Sequence, residues 1–155
     1  MRAKRNDYYL NIAYEVCKRA TCKRRHYGAI IVRDDQIVST GYCGSPRGAP
    51  NCIELDDCPR KLQNIPTGER YEFCKGVHAE MNAIINAARS GVSILHGVLY
   101  LAGRLGDGKK ISPHPCVMCK RAIINAGIKK VILNGEDDKM KIIDTESWIE
   151  THGEL

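Results

Sequence analysis

The stretch at residues 27–33, YGAIIVR, decides the fold, because a run of small and β-branched apolar residues is typical of a buried β-strand. The acidic pair Asp34-Asp35 follows it and predicts a turn. Residues 36–42, QIVSTGY, then predict the partner strand. We therefore expect a β-hairpin early in the chain.

Helical and strand patterns alternate on both sides of this hairpin. Before it, apolar residues recur at helical spacing from Leu10 to Cys17, with Asp7 as the expected N-cap. After it we expect a helix at 78–89, a strand at 98–101, a polar loop at 103–114, a helix at 116–125, strands at 130–133 and 140–143, and a short last helix capped by Thr145 with Trp148 packing inward. This alternation predicts an α/β fold with helices layered around a central sheet, and we expect residues 1–155 to form one domain.

The composition narrows the class of protein. At 155 residues, with 43% hydrophobic and 27% charged residues, the chain has the profile of a globular protein. Because no apolar run approaches the roughly 20 residues that span a bilayer, and no signal pattern follows Met1, we expect a cytoplasmic protein. In a reducing compartment, eight cysteines point to metal binding or catalysis rather than to disulfides. The net charge of +6 fits either a basic surface or an anionic ligand, and charge alone does not choose between them.

Two short motifs predict a zinc site. The first is His78-Ala79-Glu80, and the second is Pro115-Cys116-Val117-Met118-Cys119. Zinc favours nitrogen and sulfur ligands in a tetrahedron, and two cysteines three positions apart at the start of a helix can both face one ion. With His78 as the third ligand, one position stays open for water, which is typical of a catalytic zinc.

Glu80 gives this zinc site a catalytic purpose. Its carboxylate can take a proton from the zinc-bound water and deliver it to a ring nitrogen and a departing amine, which leaves zinc-bound hydroxide as the nucleophile. Either motif alone is weak, since Cys-x-x-Cys also occurs in redox and structural zinc sites. A structural zinc would usually have a fourth protein ligand and would not need Glu80. Together the two motifs resemble the paired His-x-Glu and Pro-Cys-x-x-Cys signature of zinc deaminases.

Beyond these motifs, the chain resembles the deoxycytidylate deaminase family of the cytidine deaminase superfamily from about Tyr8 to Leu133. The segments that carry the resemblance are 21–25 (TCKRR), 28–32 (GAIIV), 41–46 (GYCGSP), 64–70 (NIPTGER), 78–80, 116–119 and 123–129 (IINAGIK). The resemblance implies a three-layer α/β/α sandwich around a five-stranded mixed sheet, and hydrolysis of dCMP to dUMP and ammonia. It also implies homo-oligomers and, often, regulation by dCTP and dTTP.

Four residues are candidates for substrate binding. The resemblance implies that the backbone amide of Ala79 helps to hold the pyrimidine, and Tyr42 lies in the matched segment 41–46. Arg24 and Arg25 precede the first strand, and a guanidinium fork suits the oxygens of a phosphate. The alternative for the arginines is a solvated basic cluster.

Two features depart from the family pattern. Family members usually have Gly-Tyr-Asn-Gly where this chain has Cys43, and a thiol lacks the directional donor and acceptor of an amide. The link from the third strand to the Cys116 motif, residues 102–114, is expanded and includes His114. Both departures leave the zinc chemistry unchanged and bear on the choice of substrate.

A second group of cysteines predicts a second metal. Cys22, Cys52, Cys58 and Cys74 lie in loop-rich stretches before His78, and four thiolates could form a closed, structural zinc site. The alternative is four ordinary thiols, because buried free cysteine behaves as a small hydrophobe.

Three rival functions remain open. The chain could deaminate another free base, nucleoside or modified nucleotide. It could act on tRNA or single-stranded DNA, although Phe73 and Trp148 are the only Phe and Trp available for stacking on bases. It could also be a non-catalytic zinc-stabilised binding module, against which the presence of Glu80 argues.

Overall fold

The computed structural model describes residues 1–135, 137, 139–151 and 155. Its helices are α1 (Arg5–Cys17), α2 (Pro59–Leu62), α3 (Ala79–Arg89), α4 (Val117–Asn125) and α5 (Glu146–Glu150). Its strands are β1 (Arg25–Arg33), β2 (Gln36–Tyr42), β3 (Val98–Leu105), β4 (Lys110–Ile111), β5 (Lys130–Asn134) and β6 (Met140–Asp144). None of the helices in the described part of the chain is long and apolar enough to cross a membrane.

The strands form one mixed sheet in the order β2-β1-β3-β5-β6. Strand β1 is antiparallel to both β2 and β3, β3 is parallel to β5, and β5 is antiparallel to β6. These five strands confirm the predicted sheet. The short strand β4 pairs with the far end of β3 and adds a sixth strand that the sequence did not predict.

Helices cover both faces of the sheet. On one face, α1 packs through residues such as Leu10 and Ala13 against Ile30 and Tyr100. On the other face, α3, α4 and α5 pack through residues such as Ala83, Ile123 and Trp148 against a second set of strand residues. Because side chains alternate between the faces of a strand, the apolar runs of β1 and β3 supply both cores. The α/β/α layering is therefore confirmed.

Three local predictions are wrong in detail. Helix α1 begins two residues before Asp7, with Lys4 as its N-cap, and Asp7 lies in the first turn, where its charge favours the helix N-terminus. The expected loop at 103–114 contains the end of β3 and all of β4, joined by a turn in which the N–H of Leu105 donates to Lys109 O at 2.8 Å. Thr145 is the N-cap of α5, but its hydroxyl donates to Ile128 O at 2.8 Å instead of capping the helix.

Close packing of α3 on the hairpin positions the chemically important end of the molecule. At Gly41 of β2, an added Cβ atom would overlap Ala83 N and Ala79 O of α3. The contact is reinforced by Ser39, whose hydroxyl donates to Ala83 O at 2.6 Å. The start of α3 is thus held against β2, and the His78 motif lies at that start.

Candidate active site

The two predicted zinc motifs meet in space. His78 is the N-cap of α3 and Cys116 is the N-cap of α4. The Nδ1 atom of His78 lies 3.4 Å from the Sγ of Cys116 and 3.4 Å from the Sγ of Cys119. In the described part of the chain, this is the one group of three or more His, Cys, Asp or Glu side chains whose ligand atoms all lie within 4.8 Å of one another. The set of one nitrogen and two sulfurs fits zinc.

The two thiols of this group differ in acidity. Hydrogen bonds, first from Cys119 and then from His78, hold the pKa of Cys116 well below its usual range. The pKa of Cys119 is raised, first by its hydrogen bond to Cys116 and then by burial. Cys116 therefore loses its proton first. A thiolate at a helix N-terminus beside an imidazole is the form that binds a metal.

Glu80 is buried beside this group. It lies in the first turn of α3 with 1% of its surface exposed, and burial raises its pKa above the usual range. Its Oε2 atom is buried without a hydrogen-bond partner among the described residues. A buried carboxyl group with a raised pKa and an unpaired oxygen can both hold and release a proton, as a general acid and base must.

These residues open into a cavity of about 380 Å³, a volume that suits a small molecule. His78, Glu80 and Cys116 line it, and Cys119 lies behind them, with 1% of its surface exposed. Among the described residues, the other charged side chains that line the cavity are all basic: Arg24, Arg25, Arg60 and Lys120. Such a cavity favours an anionic ligand.

The predicted substrate residues fall into two groups. Arg24 and Arg25 line the cavity, and a guanidinium nitrogen of Arg24 lies 3.4 Å from Thr67 Oγ1. Ala79 is fully buried between His78 and Glu80, and Tyr42 is partly exposed at the end of β2; neither lines the cavity.

Cys43, at the position where the resemblance predicts an Asn, does line the cavity. Its Sγ donates to Arg25 O and accepts from Tyr27 N, both at 3.3 Å, and burial raises its pKa to about 12. The side chain is therefore a neutral thiol that binds the backbone of β1.

The second cysteine group lies around the same cavity. Cys22, Cys52, Cys58 and Cys74 all line it. The N–H of Arg24 donates to Cys22 Sγ and that of Gly76 to Cys74 Sγ, both at 3.4 Å. No three of these four sulfurs lie within 4.8 Å of one another, so they are gathered less tightly than the first group.

Two residues that line the cavity, Arg60 and Tyr71, could not be predicted as site residues from the sequence. Arg60 has 6% of its surface exposed, whereas an arginine in a polar segment is normally expected in solvent. Its guanidinium carbon lies 4.7 Å from the centroid of the Tyr71 ring. Both residues belong to residues 43–76, which have no apolar periodicity that would predict their burial.

The chain matches known proteins over most of its length. Residues 3–134 match the family described as the cytidine and deoxycytidylate deaminase zinc-binding region. The chain is 34% identical to a deoxycytidylate deaminase of Schizosaccharomyces pombe, covering 82% of this chain but only 36% of that protein. It is 32% identical to the deoxycytidylate deaminase of Mycobacterium phage D29, covering 82% of this chain and 91% of the phage protein.

Solved structures show the same fold. A dCMP deaminase from cyanophage S-TIM5, crystallised in complex with dCMP and dUMP, superposes with a TM-score of 0.62 at 30% identity, covering 84% of this chain and 81% of that one. A cytidine deaminase from Burkholderia pseudomallei superposes with a TM-score of 0.60 at 15% identity, covering 91% and 93% of the two chains. The second likeness concerns the fold alone.

Proposed function

Because the chain belongs to the cytidine and deoxycytidylate deaminase family, we propose that it hydrolyses dCMP to dUMP and ammonia. The observation that carries the proposal is the meeting of His78, Cys116 and Cys119 beside the buried carboxyl group of Glu80. The basic cavity around them suits a nucleotide with a phosphate. Relatives named deoxycytidylate deaminase and the structure of a relative with dCMP and dUMP support this choice of substrate.

The protein residues divide the work between holding a metal and moving protons. His78, Cys116 and Cys119 would hold zinc, a Lewis acid that lowers the pKa of water. Glu80 accepts one proton from the attacking water and transfers it to the ring nitrogen N3, and it then carries the second proton, released as the C4 hydroxyl becomes a carbonyl, to the leaving amino group. The water oxygen forms a bond to C4, the C4–N4 bond breaks, and ammonia leaves. The raised pKa of Glu80 suits a group that must carry the proton between these positions.

Charge recognition would come from the basic side chains of the cavity. Arg24 and Arg25, where the chain enters β1, are our candidates for the 5′-phosphate of the substrate. The backbone amide of Ala79 and the side chain of Tyr42 stay as predictions from the family resemblance, since neither residue lines the cavity.

The proposal is tested by measuring ammonia release from the zinc-loaded protein. The substrates are dCMP, CMP, deoxycytidine, dCTP and cytosine, each also offered to Glu80→Gln. We expect turnover of dCMP above the others and its loss in the variant. Turnover of a different compound would reassign the substrate, with Cys43 and residues 102–114 as the first places to look. Inertness towards all five at full zinc occupancy would contradict the proposal.

We further infer that Cys22, Cys52, Cys58 and Cys74 hold a second, structural zinc. Their shared position on the cavity supports it, because four cysteine sulfurs can form a closed zinc site. We expect two zinc ions per chain by elemental analysis, and one in Cys58→Ser. The matched control is Cys17→Ser, since Cys17 is buried and donates to Ala102 O instead. One zinc ion in the unaltered protein would contradict this inference.

The remaining predictions concern the setting of the protein. None of the eight cysteines forms a disulfide, which suits the reducing cytoplasm where we place the protein. We also propose that residues 1–155 act as one deaminase domain. Homo-oligomers and regulation by dCTP and dTTP stay predictions from the resemblance, to be checked by sedimentation and by ammonia release with each nucleotide added.

A further inference from the structure

The guanidinium group of Arg60 is a buried charge without an acidic partner among the described residues. Arg60 lies in α2 with 6% of its surface exposed. One terminal nitrogen donates to the carbonyl oxygens of Pro66 and Glu69, each at 2.6 Å, while Nε is buried and has no described partner. Buried charges are normally paired, because removing an ion from water is costly. Such a residue is expected to have a specific purpose.

The contacts of Arg60 lead directly to the candidate metal site. Its guanidinium carbon lies 4.7 Å from the centroid of the Tyr71 ring, within the range of a cation–π interaction. The Tyr71 ring in turn meets the imidazole of His78 at 4.8 Å between centroids, with an angle of 88° between the planes. An edge-to-face pair of this kind is attractive and has a defined orientation. Arg60, Tyr71 and His78 therefore form a continuous stack, which we call the Arg60 stack.

The backbone around the stack holds Tyr71, its middle residue, in place. The carbonyl oxygens of Pro66 and Glu69 that bind Arg60 precede Tyr71 by only a few residues, and Ile65 N donates back to Arg60 O at 3.0 Å. Arg70 then takes a left-handed conformation, with φ of 48°, and starts the 3-10 helix Tyr71–Phe73. The segment from Arg60 to Tyr71 is thus folded around the guanidinium group. We expect this folding to set the position and orientation of the Tyr71 ring relative to His78.

Building on the proposed function, we propose that Arg60 is a positioning residue that acts through Tyr71 to hold the His78 ring with Nδ1 facing the two cysteine sulfurs. A metal-binding imidazole is usually oriented by a hydrogen bond from its other nitrogen to a carboxylate or carbonyl group. In the described part of the chain, the hydrogen bonds of the His78 ring all involve Nδ1. The contact with Tyr71 therefore orients the imidazole ring of His78 in place of such a hydrogen bond.

The structure offers a matched control within the same segment. The guanidinium carbon of Arg70 lies 4.4 Å from the centroid of the Phe73 ring, so it forms a similar pair. That pair is more exposed, and Phe73 has no described ring contact with His78. Losing the Arg70–Phe73 pair removes a similar cation–π contact from the same segment, without reaching His78.

The test compares Arg60→Gln, Tyr71→Leu and Tyr71→Phe with Arg70→Gln and Phe73→Leu in the full chain. Two properties of the metal site are measured: zinc affinity by competition with a chelator, and the visible absorption of the cobalt-loaded protein, which reports ligand geometry. We expect Arg60→Gln and Tyr71→Leu to weaken zinc binding about 10- to 100-fold, as loss of an outer support for a metal ligand does, and to alter the cobalt spectrum. Tyr71→Phe keeps the ring and should match the unaltered protein, as should both control variants.

The outcomes separate orientation of His78 from general stability. If Tyr71→Leu binds zinc as Phe73→Leu does, the proposal is overturned, even if Arg60→Gln fails to fold. The same conclusion follows if Arg60→Gln loses thermal stability in the zinc-free form but keeps its zinc affinity and cobalt spectrum, since Arg60 would then only tie the loop together. Because neither measurement uses a nucleotide, the test stays valid if dCMP proves not to be the substrate.

Discussion

Glu80 occupies a position where a carboxylate is costly for folding. It is buried in the first turn of α3, its Oε2 has no described partner, and burial raises its pKa. A group whose folded-state pKa is raised makes the folded state less stable as the pH rises through that pKa, because the charged form is disfavoured inside the protein. The residue therefore contributes to chemistry at some cost to stability.

The first prediction is that Glu80→Gln separates activity from stability. A neutral amide of similar shape cannot carry the proton, so deamination should fall by about 10²- to 10⁴-fold. The same change removes a buried carboxylate, so the melting temperature of the metal-free protein near neutral pH should stay the same or rise. Ammonia release and thermal unfolding are the two measurements. The exposed Glu72→Gln is the control, and a lower melting temperature in Glu80→Gln alone would contradict the argument.

At this scale the sequence predicted the residues that carry a motif and missed those that depend on distant contacts. The motifs of His78, Glu80, Cys116 and Cys119 could be predicted to form one site because their chemical types and spacing are specific, and the structure brings His78, Cys116 and Cys119 together. The Arg60 stack could not be predicted, because an arginine in a polar segment normally lies in solvent and a tyrosine is buried only to an intermediate degree on average. Their burial depends on how the segment folds back on itself, which no local pattern records.

Among the elements, α3 depends on a glycine in the neighbouring strand. The absence of a side chain at Gly41 lets the backbone of α3 approach β2, where Ala83 N and Ala79 O would overlap an added Cβ. Both contacts are with backbone atoms, so no side chain can rotate away to relieve the overlap. The position of the His78 motif therefore depends on Gly41.

The second prediction is that Gly41→Ala lowers the free energy of unfolding by about 3 kcal/mol or more, the upper range for overpacking. It should also reduce activity in whatever fraction folds, because α3 carries Glu80. Denaturant unfolding and ammonia release measure the two effects. Gly106→Ala is the matched control, since a Cβ there meets nothing within 4 Å. Equal stability of the two variants would show that α3 can move away from β2 without cost.

The hairpin of β3 and β4 shows why some elements escape prediction. Strand β4 has two residues, Lys110 and Ile111, which is too short for an alternating pattern to be recognised. Its register with Gly103 and Arg104 is set by the turn between the strands, where Gly108 has a φ of 91°. The longer strands were predicted because their apolar runs span several residues and do not depend on a partner for recognition.

For the whole molecule, the positions of the charged side chains say more about function than the net charge does. The net charge of +6 was compatible with a merely solvated surface. In the structure, Arg24, Arg25, Arg60 and Lys120 converge on the cavity that holds Glu80. Convergence of this kind follows from long-range contacts, such as Ile53 N donating to Thr21 O at 3.1 Å, that bring residues 43–76 over the end of β1. The chain order alone could not show it.

The third prediction uses the two ends of β1, which begins at Arg25 and ends at Arg33. At roughly 3.3 Å per residue the ends lie about 26 Å apart, so Arg25 lines the cavity whereas Arg33 lies far from it and pairs with Asp34. If Arg25 binds the phosphate, Arg25→Gln should raise the KM for dCMP about 10- to 100-fold, the effect of losing a hydrogen bond to a charged group worth about 1.5–3 kcal/mol. The KM for any residual turnover of deoxycytidine should not change, because that compound has no phosphate. Arg33→Gln should leave both values unaltered.

A parallel rise in the KM for dCMP and for deoxycytidine in Arg25→Gln would contradict a phosphate contact and would show that Arg25 shapes the cavity instead. Arg24→Gln would then be the variant to examine for phosphate binding.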